Sequence, residues 1–141
     1  MSAKQTAAIV KQFYSEIWNK RNKSFIPKLL CKEFAFRASL GVERRGYGGF
    51  ASYVDFIHEA LKGYRCEILD MVFDGNKVFA KMLFSGIHQN NFMGYKPSFK
   101  RIEWHGAALF TFDHDKIIDL WVLGDIQSLI KQLEDNKKAA R

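Results

Sequence analysis

Two residues have the type and the setting for proton-transfer chemistry. His88 closes the run Lys77 to His88, where Val78, Ala80, Met82, Phe84, Gly86 and His88 occupy every second position. A period of two places all six on one face of a strand. An imidazole at such a strand end, beside a loop, has the chemistry of an acid, a base or a hydrogen-bond donor. The competing reading is a histidine at the edge of the core, bonded to a backbone carbonyl, and taken alone the pattern favours it. Asp125 follows Gly124 at the end of the apolar run Ile117 to Leu123. Desolvation among Trp121, Leu123 and Ile126 would raise its carboxyl pKa toward acid–base range. Asp125 also stands just before a helical pattern, with Ser128 three residues on, which is the place of an N-cap. The two readings of Asp125 weigh equally, and one carboxylate can serve both.

Other polar residues carry weaker signals. Asp70 and Asp119 sit inside apolar strands and are expected to face outward. His105 alternates with Arg101 and Glu103 on a polar face; His114 lies in a turn and His58 on a helix, both expected in solvent. Tyr14 and Trp18 recur on the inner face of the first helix, as core or as pocket wall. Cys31 and Cys66 are far apart and have no metal-ligand spacing. The chain has no phosphate-cradling glycine loop, no nucleophile elbow and no zinc-ligand pair. Gly46-Tyr47-Gly48-Gly49 does not follow a strand-to-helix pattern that would make it a nucleotide motif. These exclusions leave acid–base chemistry in a dry pocket, or binding without chemistry, with no cofactor and no metal expected.

The elements that must position these residues follow from periodicity. Ser2 and Gln5 have capping-box spacing, and Ile9, Val10, Phe13, Tyr14, Ile17 and Trp18 recur at helical intervals. A helix is expected over Ala3–Asn19. A short second helix capped by Ser24 runs to Leu30, with Pro27 in its first turn. Glu33–Ser39 reads as a short strand and Gly41–Gly49 as a flexible loop. A third helix places Phe50, Val54, Ile57 and Leu61 on one face and stops at Gly63. Strands follow over Arg65–Phe73, Lys77–His88, Phe99–Phe112 and Ile117–Leu123. Asp74-Gly75-Asn76 marks a tight hairpin and Asp113-His114-Asp115 a turn. The last strand is almost continuously apolar, as expected for one covered on both faces. A last, short helix starts after Asp125 with Ile126, Leu129, Ile130 and Leu133.

Helices followed by antiparallel strands imply an α+β domain with helices on one face of a curved sheet. Such a sheet closed by helices is a cone with a mouth, a shape that suits one ligand. The chain has 141 residues, 48% apolar and 26% charged, including thirteen Phe. That size and composition fit a single domain over residues 1–141, with a frayed tail from about residue 135. The net charge is +7. Its basic residues are scattered rather than arranged as a stripe, so no nucleic-acid partner is expected. No apolar run approaches the length of a spanning helix, and no membrane partner is expected. The N-terminal segment lacks the pattern of a signal peptide, and two thiols without such a segment fit a cytoplasmic location.

The stretch Phe84 to Trp104, F-S-G-I-H-Q-N-N-F-M-G-Y-K-P-S-F-K-R-I-E-W, resembles the segment G-T-H-x-G-x-F-x-G-x-x-P-T-G-K of the SnoaL-like polyketide cyclases and predicted ester cyclases. Lys116 through Asp125 to Gln132-Leu133 resembles the closing strand and helix of that family, W-x-x-x-D followed by Q-L. Val10 to Lys20 is similar to its first helix. The resemblance implies the nuclear-transport-factor-2-like (NTF2-like) cone, with three N-terminal helices and a short C-terminal one. It implies cofactor-free acid–base chemistry of the polyketide or ester cyclase type on a hydrophobic carbonyl compound. In that scheme Asp125 moves the proton, His88 orients a substrate oxygen, and Trp121 is pocket wall. Tyr14, Trp18, Phe84, Trp104 and Phe92 complete the expected lining. It also implies a homodimer through the outer sheet face. Ile87 stands where the family pattern has Thr, Asn90 where it has Gly, and Ser98-Phe99 where it has Thr-Gly. The alternative expectation is a non-catalytic module of the same fold that binds a small molecule or a protein.

Overall fold

The computed structural model describes residues 2–139. The first helix, α1 (Ala3–Gln12), opens with the expected capping box between Ser2 and Gln5. It continues without a break into a π-helical segment, Phe13–Asn19, where Lys20 N–H donates to the Ser15 carbonyl at 3.2 Å. The wider turn brings Phe13, Tyr14, Ile17 and Trp18 all to the inside. After a 3₁₀ turn (Lys23–Phe25), α2 (Ile26–Leu29) leads into β1 (Leu30–Arg37). Ser24 does not cap α2; its hydroxyl donates to the Asn22 side chain at 2.6 Å.

The expected glycine-rich loop is instead ordered secondary structure. Glu43–Arg45 forms β2, antiparallel to β1, and α3 (Gly46–Ala60) starts at Gly46. Gly63 does not end α3. The helix stops at Ala60 and the chain enters β3 (Leu61–Asp74) at once, with Gly63 at φ 65° inside a bulge between Lys62 and Arg65. Such a bulge bends a long strand. Gly75-Asn76 then turns the chain into β4 (Lys77–His88), the strand legible from its alternation. β5 (Arg101–Asp113) and β6 (Lys116–Gly124) form the second hairpin, and α4 (Ile126–Ala139) closes the chain. The tail expected from residue 135 is helical through Ala139, and Arg141 lies outside the described residues.

The six strands make one curved sheet in the order β2-β1-β6-β5-β4-β3, antiparallel except for the parallel pair β1–β6. α1 with its π segment and α3 fill the concave side. There Phe13 and Phe50 stack at 5.6 Å, and Phe34, Phe36, Trp18 and Tyr53 continue the aromatic packing. Burial of this many rings is the main stabilising term of the domain. The convex face differs from the expectation that β6 is covered on both sides. Val72, Phe79, Leu109 and Trp121 lie directly opposite one another across β3, β4, β5 and β6. Trp121 is 43% exposed there, and Leu123, Phe79 and Val72 are exposed too.

Candidate functional site

The interior of the cone is nearly full. A slot remains between the π segment, α3 and the concave sheet, lined by Tyr14 and Trp18, by Tyr53 and Ile57, and by Phe36, Tyr64, Cys66, Phe84, Leu120 and Val122 of four strands. Ala38 and Ser39, just after β1, complete it. Its empty space out to the mouth is about 330 Å³, of which only about 20 Å³ is wide enough for the centre of a water-sized sphere. That is room for about one water.

Two features hold the slot's walls. Asn19, the last π-helical residue, clamps Cys66 by donating to its carbonyl at 3.0 Å and accepting from its N–H at 2.7 Å. Gly106 leaves the space that the Phe84 ring occupies; a Cβ there would stand 2.5 Å from Phe84 Cε2. Ser39 is fixed in turn by Trp104, whose indole N–H donates to its hydroxyl at 3.3 Å.

The polar groups in the slot are phenols, one thiol and one hydroxyl. Burial pushes the Tyr14 hydroxyl well above its ordinary pKa, with the nearby Cys66 adding to the effect. Tyr64 and Tyr53 are raised by burial as well, and so is the Cys66 thiol despite Tyr64 beside it. All four stay protonated near neutral pH, so they are donors rather than bases or nucleophiles. The Tyr14 hydroxyl is fully buried and has no hydrogen-bond partner.

The two expected chemical residues are not brought together. Asp125 is exposed at the N-terminus of α4, where its carboxylate accepts from Ser128 N–H at 3.2 Å and its own N–H donates to the His105 carbonyl at 2.9 Å. Its helix-cap role turns the carboxylate away from the slot. Trp121 does not line this slot either, because β6 alternation puts it on the convex face under the Arg37 guanidinium, 5.5 Å away, where it borders a surface hollow with Arg37 and Arg45. Tyr14, Trp18 and Phe84 do line the slot. Trp104 and Phe92 are buried one layer behind, with ring centres 6.2 Å apart.

His88 is inside but behind the same layer. It is 1% exposed, its ring 6.2 Å from Phe92, and it does not reach the slot wall. Neither ring nitrogen has a hydrogen-bond partner. Burial lowers its pKa; backbone groups of Tyr95 and Asn90 lie close enough to oppose this in part, but neither contact has hydrogen-bond geometry. The imidazole is therefore neutral. His58, expected in solvent, is half-buried and bonds the Trp18 carbonyl of the π segment at 2.6 Å.

Sequence reasoning missed Tyr53, Tyr64, Cys66 and Ser39. The signal for Tyr64 and Cys66 was present as two-residue spacing, hidden because the strand was expected to begin at Arg65, between them, rather than at Leu61. Among the described residues no group of His, Cys, Asp and Glu could hold a metal ion, and no helix is long and apolar enough to cross a membrane.

A profile of SnoaL-like polyketide cyclases matches residues 8–133, nearly the whole chain. The chain belongs to the SnoaL-like polyketide cyclase family. No curated protein sequence matches this family member. Solved structures agree on its fold. TsrD from Streptomyces laurentii superposes with a TM-score of 0.83 at 19% identity, covering 94% of this chain and 97% of that one. A candidate polyketide cyclase from Acidithiobacillus ferrooxidans gives 0.83 at 22% identity over 96% and 99%. A ketosteroid isomerase-like protein from Catenulispora acidiphila, solved with trimethylamine, gives 0.75 at 12% identity over 89% and 92%. This SnoaL-like chain thus has the NTF2-like cone with its interior packed by aromatic side chains.

Proposed function

We propose that this SnoaL-like protein binds a small apolar ligand bearing one hydrogen-bond acceptor, such as a carbonyl, between the aromatic walls of the slot. The Tyr14 hydroxyl carries the proposal: it lines the slot, is fully buried, and lacks a partner. A buried donor left unpaired costs about 1–3 kcal/mol, which an acceptor on a ligand would recover. No Asp, Glu or His lines the slot, so a bound ligand meets donors and no base. The narrowness of the space means that a ligand has to part the rings on binding. Titration with cyclohexanone and with methylcyclohexane, followed by tryptophan fluorescence, tests this. The ketone should bind more tightly, and Tyr14→Phe should remove about tenfold of its affinity while leaving the hydrocarbon unchanged. Equal binding of the two compounds refutes the reading.

His88 favours a second reading, the cofactor-free cyclase-type chemistry of the family. A buried imidazole with two unpaired nitrogens calls for an explanation, and a catalytic role is one. In this reading His88 acts as base once Phe92 and Trp104 move aside, without Asp125. Turnover lost in His88→Gln and kept in Asp125→Asn supports it; the reverse pattern overturns it. We also propose that two copies pair through the convex face across the row Val72, Phe79, Leu109 and Trp121, of which an isolated chain leaves Val72, Phe79 and Trp121 exposed and Leu109 half-buried.

A further inference from the structure

The loop of residues 89–100, between β4 and β5, has two large apolar residues in backbone conformations that suit glycine. Met93 has φ 52° and Phe99 has φ 61°. For a bulky side chain a left-handed backbone is an outlier held by its surroundings. Met93 is held by the two reciprocal bonds between Phe92 and Tyr95, at 3.0 and 2.9 Å. Phe99 is held in a bulge, where its N–H donates to the His88 carbonyl at 2.9 Å and His88 N–H donates to the Lys100 carbonyl at 3.0 Å. Phe99 is 70% exposed, the most exposed large apolar side chain of the protein's described residues, and Met93 is 36% exposed.

Cations surround this tip. Lys96 and Lys100 flank Phe99 in sequence. Lys62 and Arg101 sit on either side of the exposed Ile87 across three paired strands. Lys137 of α4 lies 6.0 Å over the Tyr95 ring. Of the acidic groups nearby, Glu103 pairs with Arg101 at 2.7 Å and Glu134 accepts from the Tyr95 hydroxyl at 2.5 Å, while Glu59, beside Asn90, Asn91 and Pro97, is in none of the described ion pairs and leaves the lysines in excess. Lys62, Lys96 and Lys100 have no acidic partner among the described ion pairs.

We propose that this tip is a contact site for an anionic membrane surface, with Phe99 and Met93 entering the headgroup boundary and the lysines meeting lipid phosphates and carboxylates. An apolar point ringed by cations fits that surface: aromatic residues suit the interface, and each nearby Lys or Arg adds electrostatic attraction. Phe99 and Met93 do not line the hollow between this loop and α3, which is formed by Phe56, Glu59, Ala60, Asn90, Asn91 and Pro97; an apolar point outside a socket suits a fluid boundary better than a shaped protein partner. It is distinct from the convex-face row, since Ile87 lies eight residues along β4 from Phe79, or roughly 27 Å. The inference revises the expectation of no membrane partner, and it stands independently of the ligand reading.

Vesicle sedimentation of the full chain tests it, with phosphatidylcholine alone and with an equimolar mixture of phosphatidylcholine and phosphatidylserine. Binding should require phosphatidylserine and weaken with salt. Phe99→Gly should lower vesicle affinity about tenfold while leaving the thermal midpoint unchanged or raised, because glycine relieves the strained backbone. The double variant Lys96→Glu, Lys100→Glu should also lose about tenfold or more. Absence of binding to the mixed vesicles, equal binding to phosphatidylcholine alone, or full binding by Phe99→Gly overturns the proposal. Salt-sensitive binding to polyglutamate with none to vesicles assigns the tip to an acidic protein and overturns it too.

Discussion

Replacing His88 by leucine should make the protein more stable. The side chain is 1% exposed and neither ring nitrogen is hydrogen-bonded. A buried polar group without a partner costs about 1–3 kcal/mol, and a similar-sized apolar side chain removes that cost. Imperfect fit against Phe92 and Leu61 takes some of the gain back, so about 1–2 kcal/mol remains. For a domain of this size that is a rise of about 3–7 °C in midpoint. The gain should also depend on pH. Burial lowers the His88 pKa below its unfolded value of about 6.5. As pH falls through that value the unfolded chain takes up a proton that the folded chain resists, so folding loses stability on the acid side. Leucine removes this contribution, and the advantage of His88→Leu should be larger at pH 5.5 than at pH 8. His58, whose pKa burial also lowers, keeps part of the acid-side slope in both proteins. Urea denaturation at the two pH values measures it. A loss of stability at pH 8, or the same difference at both pH values, would refute the argument and mean that the imidazole is satisfied in solution.

Asp125→Ala should cost about 1 kcal/mol through loss of the α4 cap and leave ketone binding unchanged, as read by thermal melts and fluorescence titration. Gly106→Ala should destabilise by about 1–3 kcal/mol, because its new methyl meets the Phe84 ring, which is itself packed against Tyr64 and Trp104. Tyr14→Phe should hold or raise stability in the absence of ligand, since the lost hydroxyl had no partner, and calorimetry would read the change. Trp121→Asp should shift sedimentation from dimer to monomer without lowering the melting midpoint of the monomer.

What could be read from the sequence was local. The alternation of Lys77–His88, the Ser2–Gln5 capping box and the Asp74-Gly75-Asn76 turn depend on neighbours a few residues away, and the structure has them in place. The failures depend on distant partners. β2 is three residues long and exists because Arg44 meets Phe36 of β1, a pairing that no pattern in Gly41–Gly49 announces. Gly63 has the left-handed backbone expected of a helix terminator, but strand pairing to β4 puts that same conformation in a bulge. The π segment keeps Phe13, Tyr14, Ile17 and Trp18 inward, as their spacing implies, but its wider turn is not announced by that spacing. Asp125 illustrates the limit for function: cap and pocket readings use the same residue type, and only the direction of α4 decides between them.

The single parallel pairing of the sheet has a consequence for how the chain is made. Ala35 of β1 lies beside Asp119 of β6, and the N-terminal helices pack on a floor that includes both strands. Strands β3 to β6 follow one another as a meander, closed by two-residue turns at β3–β4 and β5–β6 and by the longer 89–100 loop at β4–β5, all cheap in loop entropy beside a closure that spans most of the chain. The β1–β6 contact instead encloses most of the chain and has to wait for it. On the ribosome, Phe13, Trp18 and Phe34 emerge early but have no finished wall until residues 116–124 have left the tunnel. The nascent protein therefore carries these N-terminal rings unsheltered through most of synthesis, a substrate for chaperones before it is a receptor for anything else.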